Sequence, residues 1–147
     1  MIDEVQKIVI SLPANAEYVD IVRLNLYGIA SKMGFSYEEI EDMKVAVSEA
    51  CNNSVLYAYK DGAGNMEVVF EVQKDSLSIT VKDEGESFEA WGERSALHDK
   101  ELSEAQIGGL GFYLMQALMD EVSVVNEAGK GTKVVMTRHL MKSEERV

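Results

Sequence analysis

Four groups of residues in this chain have the types and spacing to do chemistry. Glu49 and Asn53 stand four apart in SEACNNSVLYAY, a spacing that brings both side chains to one face of a helix about a turn from each other. A carboxylate and a carboxamide so placed, beside small residues, could hold a hydrated cation or orient a hydroxyl. Read alone, Asn52 and Asn53 are equally well explained as weak helix formers tolerated on a wet face. Asp83-Glu84-Gly85 follows an alternating run. Gly108-Gly109-Leu110-Gly111 leads into an apolar helical stretch, and Gly131-Thr132 starts another alternating run. Each is weak by itself. The glycines do not complete a GxGxxG fingerprint, and Gly129-Lys130-Gly131-Thr132 is only a fragment of a Walker loop.

The elements that must position these groups can be read from periodicity. Ser36 to Tyr59 reads as one long helix, opened by a capping box (Ser36 with Glu39) and stopped by Asp61-Gly62. Ile40, Met43, Val47, Ala50, Ser54 and Ala58 form its small-residue apolar stripe. Residues 5–12 read as a strand broken by Pro13, and residues 17–33 as a helix stopped at Gly34. Residues 65–73 and 76–83 alternate around Lys74-Asp75 as a hairpin. Residues 86–107 show no sustained period and read as a functional loop or lid. A helix from about Phe112 to Met119 and two strands around 128–131 close the chain, with MKSEERV as a frayed tail. The order β-α-α-β-β-lid-α-β-β predicts an α/β sandwich of two layers, its mixed, mostly antiparallel sheet covered by helices on one face.

Composition sets limits. At 147 residues, 46% hydrophobic and 27% charged, the chain reads as one soluble domain spanning 1–147. A net charge of −12 without any basic run argues against nucleic-acid binding. No apolar run approaches the roughly 18 residues of a membrane span, and no signal-peptide pattern opens the chain, so it reads as cytoplasmic. Cys51 is the only cysteine, which excludes an intrachain disulfide and multi-cysteine zinc sites; inside a helix it reads as a small buried residue. Met115 and Met119 follow helical spacing and read as core or an adaptable contact surface. Trp91 reads as a packing anchor and His139 as a solvated strand end.

Taken together and in this order, the four groups resemble the N, G1 and G2 boxes of the GHKL ATPases. Within that family they are most similar to the small serine-protein kinases of Gram-positive bacteria that act as anti-sigma factors. VSEACNNSVLYAY, VKDEG, GGLGFYLMQALMDEV and GKGT carry the resemblance over almost the whole chain. It implies the Bergerat ATPase fold, ATP and Mg²⁺ as cofactors, and residues 86–107 as an ATP lid. Asn53 matches the asparagine whose side-chain oxygen is a ligand to Mg²⁺, a hard-oxygen contact that suits this ion. Glu49 matches the general base that takes a proton from a protein serine hydroxyl. Asp83 matches the aspartate that accepts from the adenine exocyclic amine, with Gly85 letting the backbone approach the ring. Gly108, Gly109 and Gly111 match the phosphate segment, where Gly109 and Gly111 would present N–H groups at a helix start. Thr132 matches the residue that supports the aspartate, usually through water.

The resemblance also implies partners: a sigma factor of the sigma-B type, an anti-anti-sigma factor as phosphorylation substrate, and a second copy in a homodimer. Glu86-Ser87-Phe88 departs from the family's usual further glycine, and Arg23 is a candidate for a phosphate-contacting arginine on the first helix. Neither His98 nor His139 has a phosphoacceptor-histidine context. Two other functions fit less of the pattern: an ATP-binding module that binds partners without phosphorylating them, and an interaction domain whose glycines are only caps and turns.

Overall fold

The computed structural model describes residues 4–58, 64–85, 102–127 and 131–141. Within them, five strands form one sheet in the order β1-β2-β3-β5-β4, all neighbours antiparallel. The strands are β1 (Gln6–Pro13), β2 (Asn65–Val72), β3 (Ser76–Asp83), β4 (Glu121–Glu127) and β5 (Gly131–His139); the helices are α1 (Val19–Met33), α2 (Tyr37–Asn53) and α3 (Leu102–Leu118). The element order is the expected one, and the sheet contains no parallel pair among the described residues.

Strand alternation sorts the sheet into two faces. One carries cross-strand rows such as Phe70-Ile79-Met136 and Ile10-Val68-Val81-Val134, and these pack with the helices. Val22 and Leu26 of α1, Met43 and Val47 of α2, and Met115 of α3 are fully buried alongside Phe70, Ile79 and Met136. Each such side chain contributes about 1.5–3 kcal/mol on removal from water. Met115 and Met119 are therefore core. Cys51 is fully enclosed too, and burial pushes its thiol up to about 12, which leaves it an inert packing residue.

The helix boundaries have local causes. Ser36 Oγ accepts from the Glu39 N–H at 3.1 Å, and a Glu39 carboxylate oxygen accepts from the Ser36 N–H at 2.7 Å, completing the capping box. Gly34 ends α1 at φ 100°, a left-handed conformation that glycine adopts without strain.

Three expectations are corrected. Pro13 does not break β1 but is its last residue, opposite Asn65; β1 is an edge strand, where a missing N–H is tolerated. The second helix is not α-helical through Tyr59: it ends at Asn53 and widens into a π-turn at Ser54–Ala58, a distortion common at functional sites. The helix expected to open near Phe112 starts at Leu102, so Gly108, Gly109 and Gly111 lie inside α3. Packing against α2 outweighs the roughly 1 kcal/mol each helical glycine costs. The stop at Asp61-Gly62, most of the lid, Trp91, His98, the 128–130 turn and the tail from 142 lie outside the described residues.

Candidate functional site

The apolar face of the sheet becomes polar at one end. Its last row runs Leu12-Met66-Asp83-Thr132, so alternation turns Asp83 and Thr132 toward the helices, and both are buried. A carboxyl in that position must be hydrogen-bonded to avoid a cost of several kcal/mol. Three donors meet it: Ser54 Oγ donates to Oδ2 at 2.8 Å, the Gly85 N–H donates to Oδ1 at 3.1 Å, and the Thr132 N–H donates to the carboxylate. Burial raises the Asp83 pKa above its ordinary value, and the three donors pull it partly back, Ser54 foremost. Gly131 reaches this place at φ 99°; a Cβ there would stand 2.0 Å from the Asp83 carbonyl oxygen, so only glycine lets β5 come this close to β3.

The second half of the site is carried by α2. Asn53 is buried and its Nδ2 has no hydrogen-bond partner among the described residues. A half-turn of the carboxamide exchanges its nitrogen and oxygen, so a buried donor or acceptor is open for a ligand. This disposes of the wet-face reading of Asn53. Glu49, one turn earlier, is half-buried against α3: a Cβ on Gly111 would lie 2.8 Å from Glu49 Oε1. The glycine thus allows helix and carboxylate to touch.

The described site runs from Gly111 against Glu49, one turn along α2 to Asn53 and Ser54, and across the Ser54 hydrogen bond to Asp83, which Thr132 also meets. Gly108 lies three residues before Gly111, hence on the same helical face. The segment expected to meet phosphate has its glycines in a helix interior, so the expected helix start at Gly109 and Gly111 is absent from this arrangement. Hard oxygens from Asn53 and Glu49 are the donors suited to Mg²⁺, and Asn53 has the free capacity to serve.

Arg23 lines a groove of about 410 Å³ with Glu41, Lys44, Val45, Ser48 and Glu49. Its guanidinium donates to Ser48 Oγ at 2.7 Å and pairs with Asp20. The candidate arginine therefore shares a groove with the candidate base. A second cleft, of about 460 Å³, opens at the other side of Asp83, lined by Ser11, Asn65, Glu67, Lys82 and Glu84 among others. His139 lies far along β5, largely exposed, with Nε2 3.0 Å from a Glu121 carboxylate oxygen.

Two participants escaped sequence reasoning. Ser54 was counted in the apolar stripe, where only its small size was legible. Ser48 has the same small-residue disguise; its hydroxyl donates to the Lys44 carbonyl at 2.6 Å and accepts from Arg23.

Residues 12–138 match the family described as histidine kinase-like ATPase domain. A protein of Bacillus cereus strain Q1 named serine-protein kinase RsbW is 40% identical over 98% of this chain and 91% of its own length. One of the same name from Bacillus anthracis strain A0248 is 39% identical over the same shares. Among solved structures, the RsbU and RsbW domains of a Mycobacterium tuberculosis protein superpose with a TM-score of 0.68 at 21% identity. That match covers 93% of this chain and 33% of the longer one, and it bears on the fold alone.

Proposed function

This chain belongs to the family of histidine kinase-like ATPase domains, and on that premise we propose that it is a protein serine kinase that is also an anti-sigma factor. In this reading it sequesters an alternative sigma factor of the sigma-B type and, with Mg-ATP, phosphorylates a serine on an anti-anti-sigma antagonist. The observation that supports the reading is the buried Asn53 amide on α2, unpartnered among the described residues, one turn from Glu49 and next to the Ser54 that bonds Asp83, in a chain 40% identical to a named serine-protein kinase.

Each residue then has a task. The Asp83 carboxylate accepts from the adenine exocyclic amine, backed by Thr132, while Gly85 leaves room for the ring. Mg-ATP supplies the phosphoryl group, with the Asn53 side-chain oxygen as a protein ligand to the ion. Gly108, Gly109 and Gly111 keep side chains off the phosphate side of α3. Glu49 takes the proton of the acceptor serine as its oxygen bonds to phosphorus and the bond to ADP breaks. Arg23, in the groove that ends at Glu49, stabilises phosphate charge. The lid at 86–107 shields the phosphates. The protein acts in the cytoplasm as a homodimer, without contact to nucleic acid or membrane; no described helix is long and apolar enough to cross one.

Calorimetric titration of ATP with and without Mg²⁺, for wild type, Asp83→Asn and Asn53→Ala, tests the nucleotide site. Binding by wild type only with Mg²⁺, and by neither variant, is expected. Labelled phosphotransfer to an antagonist, with Glu49→Ala as control, then separates a kinase from a module that merely binds. Unchanged transfer by Glu49→Ala removes Glu49 from its role.

A further inference from the structure

Ser54 stands where the last turn of α2 changes character. A helical serine hydroxyl commonly bonds back to a carbonyl in the preceding turn. This one instead reaches across to β3 and donates to Asp83 Oδ2 at 2.8 Å, from the first residue of the π-turn. Only 4% of Ser54 and 7% of Asp83 is exposed, so neither group can exchange the bond for water.

The count of lone pairs makes the bond consequential. An ionised carboxylate offers about four acceptor sites. Among the described residues Ser54, Gly85 and Thr132 donate to three of them, which leaves one acceptor direction there. Since all three neighbours donate, the carboxylate can present only an acceptor to anything that arrives. A 6-amino purine brings an N–H to that position and a 6-oxo purine brings an oxygen. The first is bound and the second repelled.

We propose that Ser54 is a positioning residue that sets base specificity: its hydroxyl locks Asp83 as an acceptor and so selects a 6-amino over a 6-oxo purine nucleotide. The inference rests on the ATP-binding reading above. Without the Ser54 donor, the carboxyl is free to rotate and to hold a proton. A protonated carboxyl presents an O–H, which suits a 6-oxo purine.

The proton on Asp83 gives this role a signature. Burial holds the carboxyl above its ordinary value and Ser54 is the largest opposing influence. Removing it moves the titration upward, so binding of the amino purine, which needs the ionised form, is lost at a higher pH as pH falls. Among the described residues the charges beside Asp83 are Glu84, the next residue, and Glu67 and Lys82, which line the cleft at its other side; all three are the same in every variant compared. Met66 faces Asp83 from β2 and Thr132 from β5, while Glu67, Lys82 and Lys133 alternate to the opposite face. On α2 the nearest ionisable residues in sequence are Cys51, whose thiol burial keeps neutral, and Glu49, which abuts Gly111; Glu84 is the next residue after Asp83.

The test is calorimetric titration of Mg-ATP and Mg-GTP from pH 5 to 8 with wild type, Ser54→Ala and Ser54→Thr. Loss of a hydrogen bond to a charged group predicts roughly tenfold weaker ATP binding in Ser54→Ala. Its preference for ATP over GTP shrinks, and the acid-side loss of binding begins at higher pH. Ser54→Thr, which keeps the hydroxyl, restores all three. If Ser54→Ala keeps wild-type affinity, preference and pH profile, the role of Ser54 is overturned while ATP binding stands. If wild type binds no ATP at any pH, the underlying reading fails instead. Should Ser54→Ala lose its fold by circular dichroism, Ser54→Cys, whose thiol is a poor donor, is judged by the same criteria.

Discussion

Replacing Gly111 by alanine separates stability from catalysis. The new methyl group would stand 2.8 Å from Glu49 Oε1, whereas a comfortable carbon–oxygen contact needs about 3.3 Å or more. The obstacle is the end of a flexible side chain, so the carboxylate yields by about half an ångström and the helix stays. Alanine in a helix interior is favoured over glycine by roughly 1 kcal/mol. A carboxylate pushed off its rotamer returns about 0.5–1.5 kcal/mol of that at most. The net effect is within about 0.5 kcal/mol of zero, a melting temperature within about 2 °C of wild type. Catalysis responds differently. A displacement of about an ångström at reacting groups costs on the order of a hundredfold in rate, so half that distance predicts roughly a tenfold slower phosphotransfer. ATP affinity should fall less than the transfer rate, because Asp83 and Asn53 are untouched while the new methyl group stands on the phosphate side of α3. Thermal melting, calorimetry and labelled phosphotransfer on one preparation read the three quantities. Wild-type transfer in a variant whose melting temperature stays near that of wild type would refute the reasoning, because the position of Glu49 would then be irrelevant to the rate.

Gly131→Ala meets backbone instead: at φ 99° and 2.0 Å from the Asp83 carbonyl oxygen, it is expected to destabilise the fold by about 2 kcal/mol or more, read by urea denaturation. Asp83→Asn should abolish ATP binding yet help the fold at neutral pH. The folded-state pKa of Asp83 is raised, so its contribution to stability is present at low pH and is lost as pH rises through that value. Denaturation midpoints measured from pH 4 to 8 should therefore show the variant gaining on wild type as pH rises, and a constant gap would contradict the burial argument. Ser36→Ala removes the α2 cap and should cost about 1 kcal/mol; chemical denaturation shows it, with ATP affinity intact because the cap lies at the far end of α2 from Asn53.

Much of the scaffold could be read from pattern because local chemistry and global packing agree there. Ser36 and Glu39 can satisfy each other's backbone donors whatever lies around them, and the capping box forms. The alternation Leu77-Ile79-Val81-Asp83 already places the aspartate on the buried face, so its need for donors was legible. What those donors are was not: Ser54 meets Asp83 through a π-turn that no periodicity announces. Propensity misled at Gly108-Gly109-Leu110-Gly111, where three glycines look like a helix start but lie inside α3, and Gly111 is where α3 comes against Glu49. Pro13 misled in the same way, since nothing local says that β1 has a neighbour on one side only. Spacing puts Glu49 and Asn53 one turn apart on α2, but burial, which decides between a wet face and a site, is a tertiary property.

The sheet order has a consequence for how the protein comes to be able to bind. β2 and β3 close over the Gln73–Ser76 turn, where the Gln73 N–H donates to the Ser76 carbonyl at 3.0 Å, and such local pairing is fast. Asp83 meets Thr132 only when β5 docks on β3, after the segment holding α3 and β4 has been brought round. Long-range pairing of this kind is delayed by loop-closure entropy. A refolding chain therefore acquires secondary structure before it acquires the base site, and a fluorescent ATP analogue should report a later kinetic phase than far-ultraviolet circular dichroism. Nucleotide present during refolding engages only chains that have completed β5, which makes it a selective brake on their unfolding.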